Sequence, residues 1–242
     1  GESNLKTIGL EMGGKSPFLV LEDAKINDTL IDNAINSAFW NGGQNCSANM
    51  RQIIHSKIKD EFLDKILKRI KNIKVGDPLD ININMGSMIS KTHLAKVDSY
   101  IQKGIDEGAS VLHGGVSESN QKGFFAKPTL FDKVKENMTI AQDEIFGPVL
   151  GILTANNTDE ALKIAKNSKY GLHGSVFTQD INKAFYVAKN LPCGTVSINT
   201  FSEGDIKTPF GGYKQSGSLS RDQGTEALDQ YLQTKTIWIS HS

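Results

Sequence analysis

Apolar side chains recur along this chain at two spacings, one typical of helices and one typical of strands. Helical spacing predicts a helix that ends at the Gly42-Gly43 pair, from Leu30, Ile31, Ala34, Ile35, Ala38 and Phe39. The same spacing predicts further helices at residues 62–73, 92–108, 159–167, 182–190 and 225–233. Thr158 is expected to cap the helix at 159–167. Apolar runs predict strands at residues 18–21, 51–55, 110–112, 148–154, 174–178, 194–199 and 236–240.

Because helical and strand segments alternate along the chain, we expect an α/β fold with a largely parallel sheet. The glycine-rich stretch from Gly204 to Gly217 is expected to form a long loop. The chain opens at Gly1 without a methionine, and a strand signal follows within a few residues, so we interpret it as a piece of a longer protein.

Charge and cysteine content narrow the classes of function. Lys plus Arg equals Asp plus Glu, so the formal charge is zero, which argues against nucleic-acid binding. No apolar run reaches the length of a membrane span. Two cysteines in 242 residues do not make a disulfide framework, and no secretion signal is visible, so a cytoplasmic location is expected.

Cys46 is the first candidate for chemistry, within the sequence Gly-Gly-Gln-Asn-Cys-Ser-Ala. It follows a glycine pair that ends a helix, so we expect it in a loop. A nucleophilic thiol needs partial exposure and a positive environment, which increase the thiolate population. The alternative is a buried free cysteine with a packing role only, as we expect for Cys193, which leads into an apolar strand.

Glu11 is the second candidate, flanked by Leu10 and Met12 and followed by Gly13-Gly14. Partial burial of this carboxylate would raise its pKa towards the range of a general base. The alternative is a structural Glu11 that forms a salt bridge with Lys15. The glycine pair resembles a phosphate-binding loop only weakly, because the Gly-x-Gly-x-x-Gly and Walker patterns are missing.

Asp143 and Glu144 form a third candidate site, next to Phe146 and a Gly-Pro turn just before a strand. Carboxylates on loops at strand ends are suited to binding ribose hydroxyls. The alternative is a solvated acidic turn. The histidines share no metal-ligand spacing with each other or with the cysteines, and we assign no metal site; they are His55, His93, His113, His173 and His241.

In combination, these segments resemble the aldehyde dehydrogenase superfamily. The matching stretches stand in family order and cover essentially the whole chain; they are residues 10–17, 43–51, 124–131, 140–150, 194–199 and 209–217. The resemblance implies a three-layer α/β catalytic domain at residues 1–216, without the dinucleotide-binding half. It further implies a C-terminal helix and an oligomerisation strand at residues 217–242.

The resemblance also implies roles for individual residues. Cys46 would be the nucleophile and Glu11 the general base. Glu144, Phe146 and Gly13 would contact NAD or NADP, most of whose site would lie in the missing half. A loop at the mouth of an aldehyde tunnel would line the substrate site, with Phe201, Ser202, Glu203, Asp205 and Phe210.

The implied activity is oxidation of an aldehyde to its acid through a thiohemiacetal and a thioester on Cys46. The C-terminal segment resembles the branch that oxidises aminoaldehydes such as γ-glutamyl-aminobutyraldehyde, and two acidic residues in the loop, Glu203 and Asp205, favour a cationic substrate. The intact protein is expected to form a homodimer or homotetramer, and this piece alone to be inactive.

Three alternative functions stay open at this level. A CoA-acylating aldehyde dehydrogenase would use the same cysteine but would not need Glu11. A truncated chain could act as a non-catalytic scaffold that associates through its sheet and its C-terminal strand. A cysteine hydrolase would need a histidine partner for Cys46, and His55 is the nearest in sequence.

Overall fold

The computed structural model describes residues 4–118 and 122–241. The outer limits of the two expected domains, Gly1 and Ser242, lie outside the described residues. A seven-stranded sheet forms the centre. Its strands are Pro17–Val20 (β1), Arg51–His55 (β2), Ser110–His113 (β3), Thr129–Asp132 (β4), Val149–Ala155 (β5), His173–Phe177 (β7) and Thr195–Ile198 (β8). Their order across the sheet is β3-β4-β5-β2-β1-β7-β8.

All neighbouring strands of this sheet run parallel except β3 and β4, which are antiparallel. The prediction of a largely parallel sheet is therefore confirmed. The strand β4 was not predicted. A separate two-stranded pair joins Tyr170–Gly171 (β6) to Tyr213–Lys214 (β9), so the expected glycine-rich loop contains a short strand.

Helices cover both faces of the sheet, and together they give three layers. They are Asp28–Phe39 (α1), Lys59–Ile70 (α2), Lys91–Asp106 (α3), Thr139–Gln142 (α4), Thr158–Lys166 (α5) and Ile181–Asn190 (α6). In β1, Phe18 and Val20 belong to one core with α1 and α2, whereas Leu19 belongs to another core with α3, α5 and α6. Alternation along each strand thus produces two cores on opposite faces.

The expected cap of α5 is wrong by one residue. Asn157 is extended, and its side chain accepts a hydrogen bond from the backbone N–H of Glu160 at 2.9 Å. Thr158 is already the first helical residue. Asparagine and threonine can both cap a helix, so only the backbone conformation decides which of the two does so.

The C-terminal segment differs from the prediction. Glu226–Tyr231 is a 3-10 helix rather than an α-helix over 225–233, and its side chains are not buried. Residues 232–241 form no strand, although 236–240 was predicted as one. Trp238 is 89% exposed, because no neighbouring segment of the described chain covers it. A strand requires a hydrogen-bonded neighbour, which the amphipathic pattern alone does not supply.

The candidate residues gather at one edge of the sheet. Gly13 to Ser16 leads into β1, Cys46 to Met50 leads into β2, and Glu144 to Pro148 leads into β5. These three strands are adjacent and parallel, so their amino ends share an edge. The fold therefore brings three segments that are far apart in sequence to one place.

Candidate active site

A run of left-handed backbone carries Cys46. After α1, the residues Asn41, Gly42 and Gly43 have φ of 53°, 65° and 70°. A Cβ on Gly43 would lie 2.6 Å from the backbone oxygen of Gly147. Glycine is therefore needed there both for its conformation and for its close packing. This turn ends the helix before the thiol segment and seats that segment against the turn that precedes β5.

Glu11 is held by the chain that follows β9. The backbone N–H of Met12 donates to the carbonyl of Ser216 at 2.9 Å, and that of Ser218 donates to Leu10 at 3.1 Å, in an antiparallel bridge between Glu11 and Gly217. A second bridge joins Phe210 to Asp222. These contacts bring Asp222, which is 211 positions from Glu11 in sequence, into the same cleft.

Glu144 packs directly on the first glycine pair. The backbone N–H of Gly14 donates to Glu144 Oε1 at 3.0 Å. A Cβ on Gly13 would lie 1.8 Å from Glu144 Oε2, and one on Gly14 would lie 2.4 Å from the carbonyl of Cys46. The glycine pair therefore lies in close contact with both the carboxylate and the thiol segment.

Six of the predicted site residues line one open cleft of about 630 Å³: Glu11, Gly13, Cys46, Glu144, Phe146 and Phe210. The cleft also includes Met12, Asp222 and Gln223, which no sequence pattern marks as site residues. Asp222 follows Arg221 in an ordinary polar stretch, and no motif there marks it. Only the pairing of the two loops shows that it belongs to the site.

Burial raises the pKa values of Glu11 and Glu144 in this cleft. Desolvation raises the pKa of Glu11, and the nearby Asp222 carboxylate raises it further, while Arg221 lowers it. The Glu11 side chain nevertheless remains exposed at the rim of the cleft. Desolvation also raises the pKa of Glu144, against the hydrogen bond from Gly14 and the charge of Lys15.

The Cys46 thiol is half-buried, and its only hydrogen-bonding side chain among the described residues is Ser47, at 4.0 Å between Sγ and Oγ. Burial raises the pKa of Cys46, and the carboxylates of Glu203 and Glu144 raise it further. The described residues therefore do not supply the positive environment that we expected around this thiol.

Phe146 has a left-handed backbone, with φ of 59°, which is unusual for an aromatic residue. His93, in α3, contacts its carbonyl through Nε2 at 2.6 Å, and the two rings meet edge to face at 6.2 Å. The Phe146 side chain is 37% exposed in the cleft. Its ring therefore offers an apolar face to a ligand.

The remaining substrate-loop residues lie in different surroundings. Asn45 donates from Nδ2 to Glu203 Oε1 at 2.8 Å, which places Glu203 next to the thiol segment. Phe201 packs edge-on against the buried ring of His173, and the Ser202 carbonyl contacts His173 Nε2 at 3.0 Å. Asp205 makes its hydrogen bonds with Lys207 and Thr208, inside its own turn.

Comparison with known proteins shows the family of this chain. The model of the aldehyde dehydrogenase family matches residues 1–237. Aminoacetaldehyde dehydrogenase of Pseudomonas aeruginosa is 39% identical over 241 residues, which are 100% of this chain and 48% of that protein. This chain belongs to the aldehyde dehydrogenase family.

Solved structures of the aldehyde dehydrogenase family have the same fold. A Bacillus cereus aldehyde dehydrogenase in complex with NAD+ superposes with a TM-score of 0.94 at 41% identity, covering 98% of this chain and 48% of that one. Betaine aldehyde dehydrogenase of Staphylococcus aureus, in complex with NAD+, superposes with a TM-score of 0.89 at 39% identity, covering 94% of this chain and 45% of that one. This aldehyde dehydrogenase chain spans about half the length of these relatives. The predicted three-layer α/β fold is confirmed.

The structure excludes two specific pairings. Among the described residues, Lys15 Nζ is buried without a hydrogen-bond partner, so it does not form a salt bridge with Glu11; burial lowers its pKa to about 7. His55 lies at the carboxyl end of β2, whereas Cys46 precedes the amino end, and the strand between them is about 13 Å long. His55 therefore cannot assist Cys46 as a base.

Cys193 contrasts with Cys46. It packs against the core on the α3 side, and burial raises its pKa to about 12. Within residues 4–118 and 122–241, no group of histidine, cysteine and acidic side chains is arranged to hold a metal ion. Over the same ranges, we find no helix with the length and apolar character of a membrane span.

Proposed function

We propose that this chain supplies the catalytic half of an NAD- or NADP-dependent aldehyde dehydrogenase, with Cys46 as nucleophile and Glu11 as general base. One observation carries the proposal: a single open cleft is lined by the Cys46 thiol, by Glu11 with its raised pKa, and by Glu144 in contact with Gly13. The chain spans about half of its relatives, so the activity is assigned to the longer protein of which it would be a part.

The cleft residues fit the nicotinamide end of the cofactor. Glu144 Oε1 is held by the backbone of Gly14, and Oε2, which has no hydrogen bond among the described residues, could accept one from a ribose hydroxyl. Phe146 offers an exposed aromatic face beside it. A side chain at Gly13 would clash with the Glu144 carboxylate. Held by these residues, NAD(P)+ would supply the hydride acceptor of the reaction and a positive charge in the cleft.

Cys46 and Glu11 would then act in sequence. The Cys46 thiolate attacks the aldehyde carbon, and the carbonyl oxygen becomes the oxyanion of a thiohemiacetal, with the backbone N–H of Cys46 as a candidate donor. Loss of hydride from that carbon leaves a thioester on Cys46. Glu11 accepts a proton from water, the resulting hydroxide attacks the thioester carbon, and the carbon–sulfur bond breaks to release the acid and the thiolate.

The electrostatics of Glu11 support this role. A general base must be unprotonated at working pH, yet basic enough to take a proton from water. Desolvation and Asp222 raise the pKa of Glu11 towards that range. A CoA-acylating enzyme would not need this base, so Glu11 favours hydrolysis of the thioester over transfer to CoA.

Glu203 supports a cationic aldehyde as substrate. Its carboxylate is held at Asn45, next to Cys46 in sequence, and its charge contributes to the raised pKa of Cys46. A negative charge at a wet site attracts a cationic substrate by about 1 kcal/mol, or roughly fivefold in affinity. Two relatives are named for aminoacetaldehyde and betaine aldehyde, which both carry a positive charge. We therefore propose an aminoaldehyde as substrate, in line with the resemblance to the γ-glutamyl-aminobutyraldehyde branch.

The experiment compares 4-aminobutanal with succinate semialdehyde in the full-length protein, with NAD+ and with NADP+. Glu203→Gln should reduce the preference in kcat/KM for the cationic aldehyde by about fivefold. Asp205→Asn is the matched control in the same loop, because the hydrogen bonds of Asp205 stay within its own turn. An equal loss of the kcat/KM preference in both variants would contradict the selection of cationic aldehydes by Glu203.

The assignment of the reaction is tested separately. Cys46→Ser should abolish reduction of NAD(P)+ by aldehyde, and added CoA should leave the product as the free acid. Release of an acyl-CoA would instead favour the CoA-acylating alternative. Light scattering tests the proposed homodimer or homotetramer, and a monomeric full-length protein would contradict it.

A further inference from the structure

His173 is a buried histidine that the proposed reaction does not use. It begins β7 and has no solvent exposure. Its Nε2 lies 3.0 Å from Ser197 Oγ and 3.0 Å from the carbonyl oxygen of Ser202. Its Nδ1 lies 3.4 Å from Asn49 Nδ2. Each side of the ring therefore faces a different segment of the chain.

These contacts determine the protonation state of the ring. A carbonyl oxygen can only accept a hydrogen bond, so Nε2 carries the proton and donates to Ser202. The amide nitrogen of Asn49 can only donate, so Nδ1 accepts from it. The ring is therefore neutral in this arrangement, and burial is consistent with that state because it lowers the pKa of His173 to about 4.

Asn49 connects this ring to the nucleophile segment. It lies three residues after Cys46, and its Nδ2 also donates to the carbonyl of Pro17 at 2.9 Å. Ser175 Oγ donates to Asn49 Oδ1 at 3.2 Å. Both polar atoms of the Asn49 amide are thus held by hydrogen bonds. Asn49 therefore presents a rigidly placed donor to His173 near the thiol.

Ser202 connects the ring to the substrate loop. Its carbonyl accepts from both His173 and Ser197, the latter at 2.7 Å, and the ring of Phe201 packs edge-on against His173 at 5.3 Å. Glu203, the next residue, is the one that accepts from Asn45. The buried network therefore ends one residue before the carboxylate that lies beside Cys46.

We propose that His173 is a positioning residue for substrate selection: by holding Ser202 and Phe201 against the Asn49 segment, it keeps the Glu203 carboxylate beside Cys46. This inference rests on the proposed function, because it concerns which aldehyde reaches the thiol. His173 itself does not touch the reacting atoms.

Replacement of the ring separates positioning from packing. His173→Leu fills similar space but removes the donor to Ser202, so Glu203 loses its fixed place and the preference for a cation falls. His173→Gln retains an amide N–H that can reach Ser202 and should restore most of the preference. Ser197→Ala removes the second donor to the same carbonyl with little change in volume, and it should act in the same direction as His173→Leu.

Two readouts in the full-length protein test the proposal. The first is the ratio of Cys46 alkylation rates with the cation 2-bromoethylamine and with neutral iodoacetamide, measured without cofactor. The second is KM for 4-aminobutanal against butanal. In His173→Leu, both preferences for the cation should fall by about fivefold, the size expected for one carboxylate at a wet site, with kcat little changed. His55→Leu is the matched control, a buried histidine at the opposite edge of the sheet.

Unchanged ratios in both His173→Leu and Ser197→Ala would overturn the proposal, as would an equal change in His55→Leu. If His173→Leu does not fold, the two ratios measured in Ser197→Ala decide whether the proposal holds. A wild-type protein that is alkylated at Cys46 but oxidises no aldehyde would contradict the proposed function, and the alkylation ratio would still decide on the role of His173.

Discussion

Replacement of Gly13 by alanine tests whether Glu144 holds the cofactor. An added Cβ would lie 1.8 Å from Glu144 Oε2 and 2.5 Å from its Cδ, so the carboxylate has to move. The backbone of Gly13 is not left-handed, so alanine adds no conformational strain there. The displaced group is the end of a flexible side chain, but its hydrogen bond from Gly14 is lost, and we therefore expect the free energy of unfolding to fall by at most about 1.5–3 kcal/mol.

Gly13→Ala should also weaken cofactor binding. Displacement breaks the 3.0 Å hydrogen bond from Gly14 to Glu144 and moves the carboxylate away from the proposed ribose position. A hydrogen bond to a charged group contributes about 1.5–3 kcal/mol, which corresponds to about 10- to 100-fold in affinity. Gly13→Ala should therefore weaken NAD(P)H binding by that factor.

The assay is fluorescence titration of the full-length protein with NADH and NADPH, with thermal unfolding measured alongside. Gly86→Ala is the matched control, because its added Cβ would meet only Pro78, at an ordinary distance of 3.5 Å. Glu144→Gln should weaken binding in the same direction. Unchanged cofactor affinity in Gly13→Ala, with unchanged stability, would refute the reasoning that Glu144 needs this position.

Three further predictions concern the thiol, the base and the C-terminus. Iodoacetamide should label Cys46 well before Cys193, whose pKa burial raises to about 12, and the Cys46 rate should rise with pH because its own pKa is also raised; peptide mass spectrometry that shows equal labelling would contradict this. Stopped-flow traces of Glu11→Gln should show a burst of reduced cofactor followed by slow turnover. Turnover of Glu11→Gln at the wild-type rate would contradict the role of Glu11 as base. Asp222→Asn should shift the acid limb of the kcat–pH profile to lower pH, because removal of a negative charge lowers the pKa of Glu11. An acid limb at the wild-type pH would contradict this coupling. Removal of residues 235–242 should reduce the mass of the full-length assembly in light scattering, and an unchanged mass would exclude an oligomerisation role for this segment.

The helices and strands that carry the site were readable from the sequence because each buries a periodic apolar face. The run from Leu30 to Phe39 and the apolar strand before His55 both form where their spacing predicts. The C-terminal residues from Glu226 onwards have a similar pattern, but it was not sufficient. Their large apolar side chains remain mostly exposed among the described residues, and most helix and strand stability comes from burying such side chains.

The sequence by itself determined the candidate thiol and base, because Cys46 and Glu11 each stand in a short segment with a recognisable pattern. Only the tertiary structure placed Asp222 beside Glu11, Glu203 beside Asn45 and His173 beneath the substrate loop. These contacts join residues more than a hundred positions apart, except for the contact between His173 and Ser202, which are 29 positions apart. Their physical cause is the register in which loops and parallel strands pair. The spacing of apolar residues along the chain does not predict that register.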